Sequence, residues 1–176
     1  MNIDKLERNI ISLVEEQQLK LGYLKETVRF YFPLASLNNF LDTECDADEM
    51  LEQMEIFSKT TVDTLGGIAV TNDGNRFCIA VPPQGAEHIN KNLDKNSFIA
   101  TLIETVRNHG CTFEQVIEVF KEHSSMLHIE EMSNDEFDYL VYFEYGVPDC
   151  YRYCLSVGDD HVTYHRYTPE DYEDLF

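Results

Sequence analysis

The chain has 176 residues and a net charge of -20, with 33 acidic against 13 basic side chains, and it is 43% hydrophobic and 12% aromatic. These hydrophobic and aromatic contents exclude a disordered chain, which would have far fewer aromatic residues at this charge. The charge argues against nucleic-acid binding, because phosphate backbones are bound through lysine and arginine.

The first predicted element is a helix over about residues 3–20, in which Ile3, Leu6 and Ile10 fall on one face and Gly22 follows the end. Acids and bases interrupt its apolar positions, so it lacks the continuous hydrophobic stretch of a secretory signal peptide. No apolar run in the chain approaches the roughly 20 residues that cross a bilayer. We therefore expect one cytoplasmic domain over residues 1–176, with no membrane partner.

Residues 22–41 form an aromatic, leucine-rich run. Alternation over residues 27–32 fits a short strand, although a helical turn fits equally, and Pro33 suits the first position of a following helix. The run holds no glycine-rich phosphate loop and no cluster of catalytic polar groups. It is therefore interpreted as core, with Arg29 as its one unusual member.

Residues 42–55 contain seven acids and no base. A calcium-binding EF-hand loop starting at Asp42 would need glycine and glutamate where this chain has Ala47 and Gln53. The segment instead predicts a helix start, capped by Asp46 or Asp48. Its predicted buried stripe comprises Met50, Leu51, Met54 and Phe57.

The middle of the chain predicts a β-hairpin, residues 66–70 and 76–81, around the turn signal Asp73-Gly74. Helices are predicted near 86–93, over 97–108 and over 112–123, the last opened by a capping box at Thr112 and Gln115. The last two helices and their glycine turn resemble a DNA-binding helix-turn-helix. The second helix has three glutamates against one lysine, which would repel DNA, so the pair is interpreted as a structural hairpin.

Alternating segments at residues 138–146, 150–158 and 161–167 predict a three-stranded antiparallel meander, followed by a short acidic helix from Thr168. The predicted fold class is α+β, with helices packed on antiparallel sheet. Matching the apolar faces of the strands gives a three-residue first loop and a two-residue second loop. On the opposite, more polar face this register places Glu144 across from Arg152 and aligns Tyr142, Cys154 and His165 in one row.

Cys150, Cys154, His161 and His165 have a spacing that resembles a zinc site. Residues four apart on a strand are about 13 Å apart, whereas the ligand atoms of tetrahedral zinc must lie roughly 4 Å apart. We therefore predict no metal and no cofactor. Cys154 opposite His165 could form a thiolate–imidazolium nucleophile, but plain packing is the alternative. The five scattered cysteines are interpreted as free thiols.

Gly22-Tyr23, the run from Glu26 to Leu34 and the following Ser36-Leu37-Asn38 resemble the N-terminal signature of a small uncharacterised bacterial family of domains of unknown function. The aromatic segments around Gly146-Val147-Pro148 are compatible with that resemblance over most of the chain. The resemblance implies a bacterial, cytoplasmic, single-domain protein. It carries over no activity, cofactor or catalytic residue.

Two function hypotheses remain. Residues 42–55 and 126–176 concentrate the negative charge, the latter with thirteen acids against Arg152 and Arg166. The first hypothesis is therefore an acidic interaction module without catalysis, regulatory or immunity-like, that binds a basic protein partner. The alternative is a small-molecule-binding or enzymatic domain, with a cleft near Arg29 or on the polar meander face. The predicted binding residues are Arg29, Tyr142, Glu144, Arg152, Cys154 and His165.

Overall fold

The computed structural model describes residues 1–176 and divides them into two compact units, Met1–Leu93 and Asp94–Phe176. Each unit has its own antiparallel sheet, of three strands in the first and four in the second. The predicted α+β class is therefore confirmed. That the chain forms one domain stays a prediction. No helix is long and apolar enough to span a membrane.

The first unit contains five helices and three strands. In chain order they are α1 (Ile3–Leu21), β1 (Val28–Pro33), α2 (Leu34–Leu41), α3 (Ala47–Thr60), α4 (Val62–Leu65), β2 (Ala69–Asp73), β3 (Arg76–Val81) and α5 (Pro83–Lys91). The strand order is β1-β3-β2. Strand β2 extends into the predicted turn, so that Gly74 and Asn75 alone connect the hairpin.

The core of the first unit includes part of the aromatic run at residues 22–41, but Tyr23, Leu24 and Tyr31 are exposed, so the interpretation of the whole run as core is only partly correct. Val28 and Phe32 of β1 are buried, and Phe32 packs edge-on against Phe40 of α2 at 5.8 Å between ring centroids. The strand alternative for residues 27–32 is thus the correct one, and Pro33 is its last residue and the N-cap of α2. Asp46 caps α3 in a reciprocal capping box with Glu49, as the acidic segment predicts.

The second unit contains three helices and four strands. In chain order they are α6 (Phe98–Arg107), α7 (Phe113–His123), β4 (Leu127–Glu131), β5 (Tyr139–Phe143), β6 (Arg152–Val157), β7 (Val162–Tyr167) and α8 (Pro169–Leu175). The strands form a meander in the order β4-β5-β6-β7. The three predicted strands are confirmed, and β4 is an additional strand.

Helices α6 and α7 pack on one face of this meander through aromatic rings. The ring of Phe98 lies 4.9 Å from that of Phe120, 5.0 Å from that of Phe143 and 5.6 Å from that of Tyr153. The predicted helical hairpin is confirmed, including the capping box of Thr112 and Gln115. Residues of the opposite face pack against Tyr172 of α8, and this face holds most of the candidate residues.

Candidate functional site

The register of the meander decides which candidate residues are neighbours. Cys154 pairs with His165 across β6 and β7, as the two-residue second loop predicts. Between β5 and β6 the predicted register is wrong by two residues. Leu140, not Tyr142, pairs with Cys154, and β5 ends at Phe143, so that Glu144 does not pair with Arg152.

The cause of this error is the connection between β5 and β6. A period-two pattern fixes which face a side chain occupies, but a shift by two residues preserves every face. Asp149 in this connection is drawn inward: it accepts hydrogen bonds from the Tyr153 hydroxyl at 2.6 Å and from Arg166 at 3.3 Å. The connection therefore spans residues 144–151 instead of three residues.

The corrected register places the guanidinium of Arg152 over the Tyr142 ring, 3.8 Å from its centroid. His128 of β4 also stacks on Tyr142, at 4.6 Å between centroids. Arg152 donates a hydrogen bond to the Cys150 carbonyl at 3.3 Å. Arg152 is thus held by a stacking contact and a backbone contact, and its predicted neighbour Glu144 is replaced by Tyr142, with which it forms a cation–π pair.

Cys154 is fully buried with Phe137 and Leu140 in a small apolar cluster. Burial, together with the negative charge of Glu136, raises the pKa of its thiol to about 11. His165 is exposed, and its ring lies 4.4 Å from that of Tyr167. Cys154 therefore stays a protonated thiol at neutral pH, although His165 is its cross-strand neighbour.

The face predicted to be polar is accordingly a second, smaller apolar core. Met132, Tyr142, Tyr167 and Tyr172 surround its buried residues, and Tyr172 belongs to α8. Five of the six predicted binding residues lie in the second unit, where Glu144 is exposed beyond the end of β5. Arg29 lies in the first unit, exposed on β1 and paired with Ala80 of β3. Whether these residues bind a ligand stays a prediction.

Sequence reasoning missed a buried ion pair in the second unit. The side chain of Arg166 is 3% exposed and that of Asp149 is 12% exposed, with 3.3 Å between the charged atoms. The guanidinium also lies over the Tyr151 ring at 4.1 Å. The alternation of the predicted third strand could have indicated this burial. Arg166 falls on the same face of that strand as Val162 and Tyr164, which the pattern directs towards the core.

The outer edge of β4 is the second feature that the sequence did not indicate. β4 is an edge strand of its sheet and pairs only with β5. Two apolar side chains lie here unusually exposed, Met126 at 42% and Ile129 at 43%. The exposed acids beside them in sequence are Glu130, Glu131, Asp135 and Glu136.

A cleft of about 560 Å³ lies between the start of α7, the end of β4, the start of β5 and the turn after β6. The rings of Phe113 and Tyr139, which stack at 4.1 Å between centroids, belong to its lining. Its acidic lining residues are Glu114, Glu131, Asp138 and Asp159. Residues 1–176 contain no group of three or more histidine, cysteine or acidic side chains arranged to hold a metal ion.

Comparisons with known proteins bear on the family of this chain. No curated protein and no solved structure matches it. A family model described as "Domain of unknown function, E. rectale Gene description (DUF3877)" matches residues 3–176. The predicted resemblance to a family of uncharacterised domains is thereby confirmed. Since the match covers nearly all of the sequence, the chain belongs to the DUF3877 family.

Proposed function

We propose that this chain is an acidic cytoplasmic interaction module, regulatory or immunity-like, which binds a basic protein partner through the β4 edge of its second unit. The charge of that unit supports the proposal. Residues 94–176 carry eighteen acids against five bases, a net charge of -13, and fifteen of those acids are exposed. A field of this sign attracts and orients a basic protein and raises its association rate.

The observation that carries the proposal is the composition of the β4 edge. Exposed Met126 and Ile129 supply one apolar side chain on each face of this edge, and exposed Glu130, Glu131 and Asp135 follow them in sequence and supply negative charge. Protein interfaces combine these two parts, an apolar core that is removed from water and a polar rim that stays wet. The unpaired edge also leaves backbone groups available for an added strand. A partner with an extended, basic segment that alternates with apolar residues fits this edge.

The state of the candidate nucleophile supports interaction over catalysis. Cys154 is buried and its pKa is raised to about 11 by burial and by Glu136, which opposes the thiolate that nucleophilic catalysis requires. Arg152 is engaged with Tyr142 and the Cys150 carbonyl.

The test is affinity capture from a bacterial lysate, followed by titration calorimetry with the purified partner. The informative variant combines Glu130→Gln, Glu131→Gln, Asp135→Asn and Glu136→Gln, all exposed positions. A matched variant of the first unit, Glu44→Gln with Asp48→Asn, Glu52→Gln and Asp63→Asn, removes the same charge from exposed positions. We expect the dissociation constant to rise about tenfold or more for the first variant, and little for the second.

Salt and an apolar substitution complete this test. Raising sodium chloride from 50 to 300 mM should weaken the complex, because exposed charges are screened over a shorter distance. Ile129→Ser should weaken binding without changing its salt dependence. If the dissociation constant of the partner changed neither with salt nor in the β4 variants, this edge would be excluded as the interface.

A second candidate function, binding of a small cationic molecule, is favoured by the cleft at the start of α7. Its stacked aromatic pair and its carboxylates are the groups that bind organic cations. Native mass spectrometry of the expressed protein, with elemental analysis of the same sample, tests it. A stoichiometric bound amine that is lost in Glu114→Gln with Glu131→Gln would support this function over protein binding. A bare mass would weaken it.

A further inference from the structure

The last helix, α8, is much less buried than the sheet residues against which it packs. None of its residues is buried, and four of its seven residues are acids, Glu170, Asp171, Glu173 and Asp174. The residues next to it on the sheet are nevertheless removed from water, with Cys154 at 0% exposure and Leu140 at 4%. A poorly buried helix thus packs against a well-buried cluster.

Two aromatic side chains and one cap contribute to the attachment of this segment. Tyr172 packs against the cluster around Cys154. Phe176 lies 5.9 Å from the Tyr167 ring and 6.0 Å from the Phe137 ring, and it stacks on Tyr172 at 5.0 Å. Buried Thr168 caps the helix by accepting from the Asp171 backbone. Leu175 is 62% exposed and makes none of these ring contacts, and Phe176 itself is 50% exposed.

The short length and the negative charge of α8 make its attachment weaker than that of the strands. A helix of seven residues is far below the length at which helices are stable alone, so α8 depends on its docking contacts. Its acids belong to a unit of net charge -13, and self-repulsion disfavours their compact arrangement. Segments with few buried contacts open locally while the core stays closed.

We propose that α8 is a strap that lifts from the sheet as a unit and controls access to the surface of Tyr142, Arg152, Cys154 and Tyr167, while the rest of residues 94–176 stays folded. In the closed state Tyr172 occupies this surface. Burial and the neighbouring groups Cys154 and Glu130 raise the pKa of its hydroxyl, against a smaller lowering effect of Arg152. Cys154, Tyr142 and Tyr167 therefore become fully accessible only in the open state, whereas His165 is exposed in the closed state as well. This inference is independent of the β4 interface.

Cys154 is the probe for strap opening, because its thiol reacts with an aromatic disulfide reagent only when it meets solvent. We would replace Cys45, Cys78, Cys111 and Cys150 by alanine, leaving one reactive group, and measure the modification rate at pH 8. Adding Tyr172→Ala with Phe176→Ala should raise this rate by about tenfold or more, because it removes both anchors. The matched change Leu175→Ala, in the same helix but at an exposed position, should leave the rate unchanged.

A second measurement does not depend on the folding of the anchor variant. The modification rate of Cys154 with the anchors intact should change little over low urea concentrations, since lifting a short strap exposes little surface. Urea unfolding of the same single-cysteine chain, followed by circular dichroism, gives the steep urea dependence of global unfolding for comparison. A modification rate of Cys154 that follows this global transition would overturn the proposal, as would an anchor variant that reacts like its parent.

Discussion

At the scale of single residues, the pair of Arg166 and Asp149 gives the sharpest stability prediction. Asp149→Ala removes the carboxylate that lies 3.3 Å from the Arg166 guanidinium, and the Arg166 side chain is only 3% exposed. Removing one partner of a buried pair costs about 3–5 kcal/mol, because the remaining charge stays out of water with less compensation. Urea unfolding followed by circular dichroism should show this loss in the free energy of unfolding.

The control is an exposed ion pair of similar geometry. Lys59 and Glu55 approach to 3.0 Å on α3, with side chains 74% and 70% exposed. Glu55→Gln should change the free energy of unfolding by less than about 1 kcal/mol, because solvent screens the pair. If both substitutions destabilised the protein equally, the burial argument for Asp149 would be wrong.

The buried thiol of Cys154 should make the stability of the protein depend on pH. Its pKa is raised from 9.0 to about 11, mainly by burial, so the folded state keeps a proton that the unfolded state releases in this interval. The resulting stabilisation is complete below pH 9 and is lost as the pH rises towards 11, with a total of about 2–3 kcal/mol. Cys154→Ala should therefore lose less stability than the parent between pH 8 and 10.5 in urea titrations. Parallel pH profiles of the two proteins would contradict the prediction.

At the scale of elements, α4 and α5 of the first unit approach each other at Gly85. A methyl group there would collide with the Leu65 carbonyl and press on the Val81 side chain. Gly85→Ala should therefore separate the two helices and destabilise the protein by about 1–3 kcal/mol. Gly74→Asn is the matched change, because its site is open and asparagine tolerates the local φ of +58°. Thermal unfolding should show a large shift for the first variant and a small one for the second.

The elements also show what the sequence can predict. Helices with a clear apolar face and a cap, such as α7, are predicted to within a residue or two, because local hydrogen bonds and periodicity determine them. Strand β4 was missed, since its sequence LHIEE offers one short alternation and ends in two acids. It becomes a strand only through pairing with β5, a tertiary effect that a single-sequence pattern does not contain.

The candidate site was predictable in the same uneven way. The pairing of Cys154 with His165 followed from a short turn, which fixes register. The environment of Cys154 did not follow, because the apolar cover comes from Phe137 and from Tyr172, outside the strands themselves. The position of Arg152 failed for another reason, since the long connection to β6 allows a shift by two residues that the alternation cannot detect.

At the scale of the whole molecule, the charge divides unequally between the two units. Residues 1–93 carry fifteen acids against eight bases, a net charge of -7, whereas residues 94–176 reach -13 in a shorter segment. Like charges on a compact surface repel, and an excess of one sign therefore opposes folding of the unit that bears it. At physiological ionic strength salt largely screens the repulsion between exposed charges that are more than about 8–10 Å apart.

Added salt should consequently stabilise the second unit more than the first. Hydrogen exchange followed by mass spectrometry, at 20 and 300 mM sodium chloride, reports on both units in one sample. We expect the protection of α6, α7 and β6 to rise more than that of α1 and β3. The unit with the larger net charge has more repulsion for salt to screen. The variant with four acids neutralised at residues 130–136 should reduce this difference, since it brings the second unit to -9. An equal gain in the two units would show that local ion pairs, and not net charge, determine the salt response.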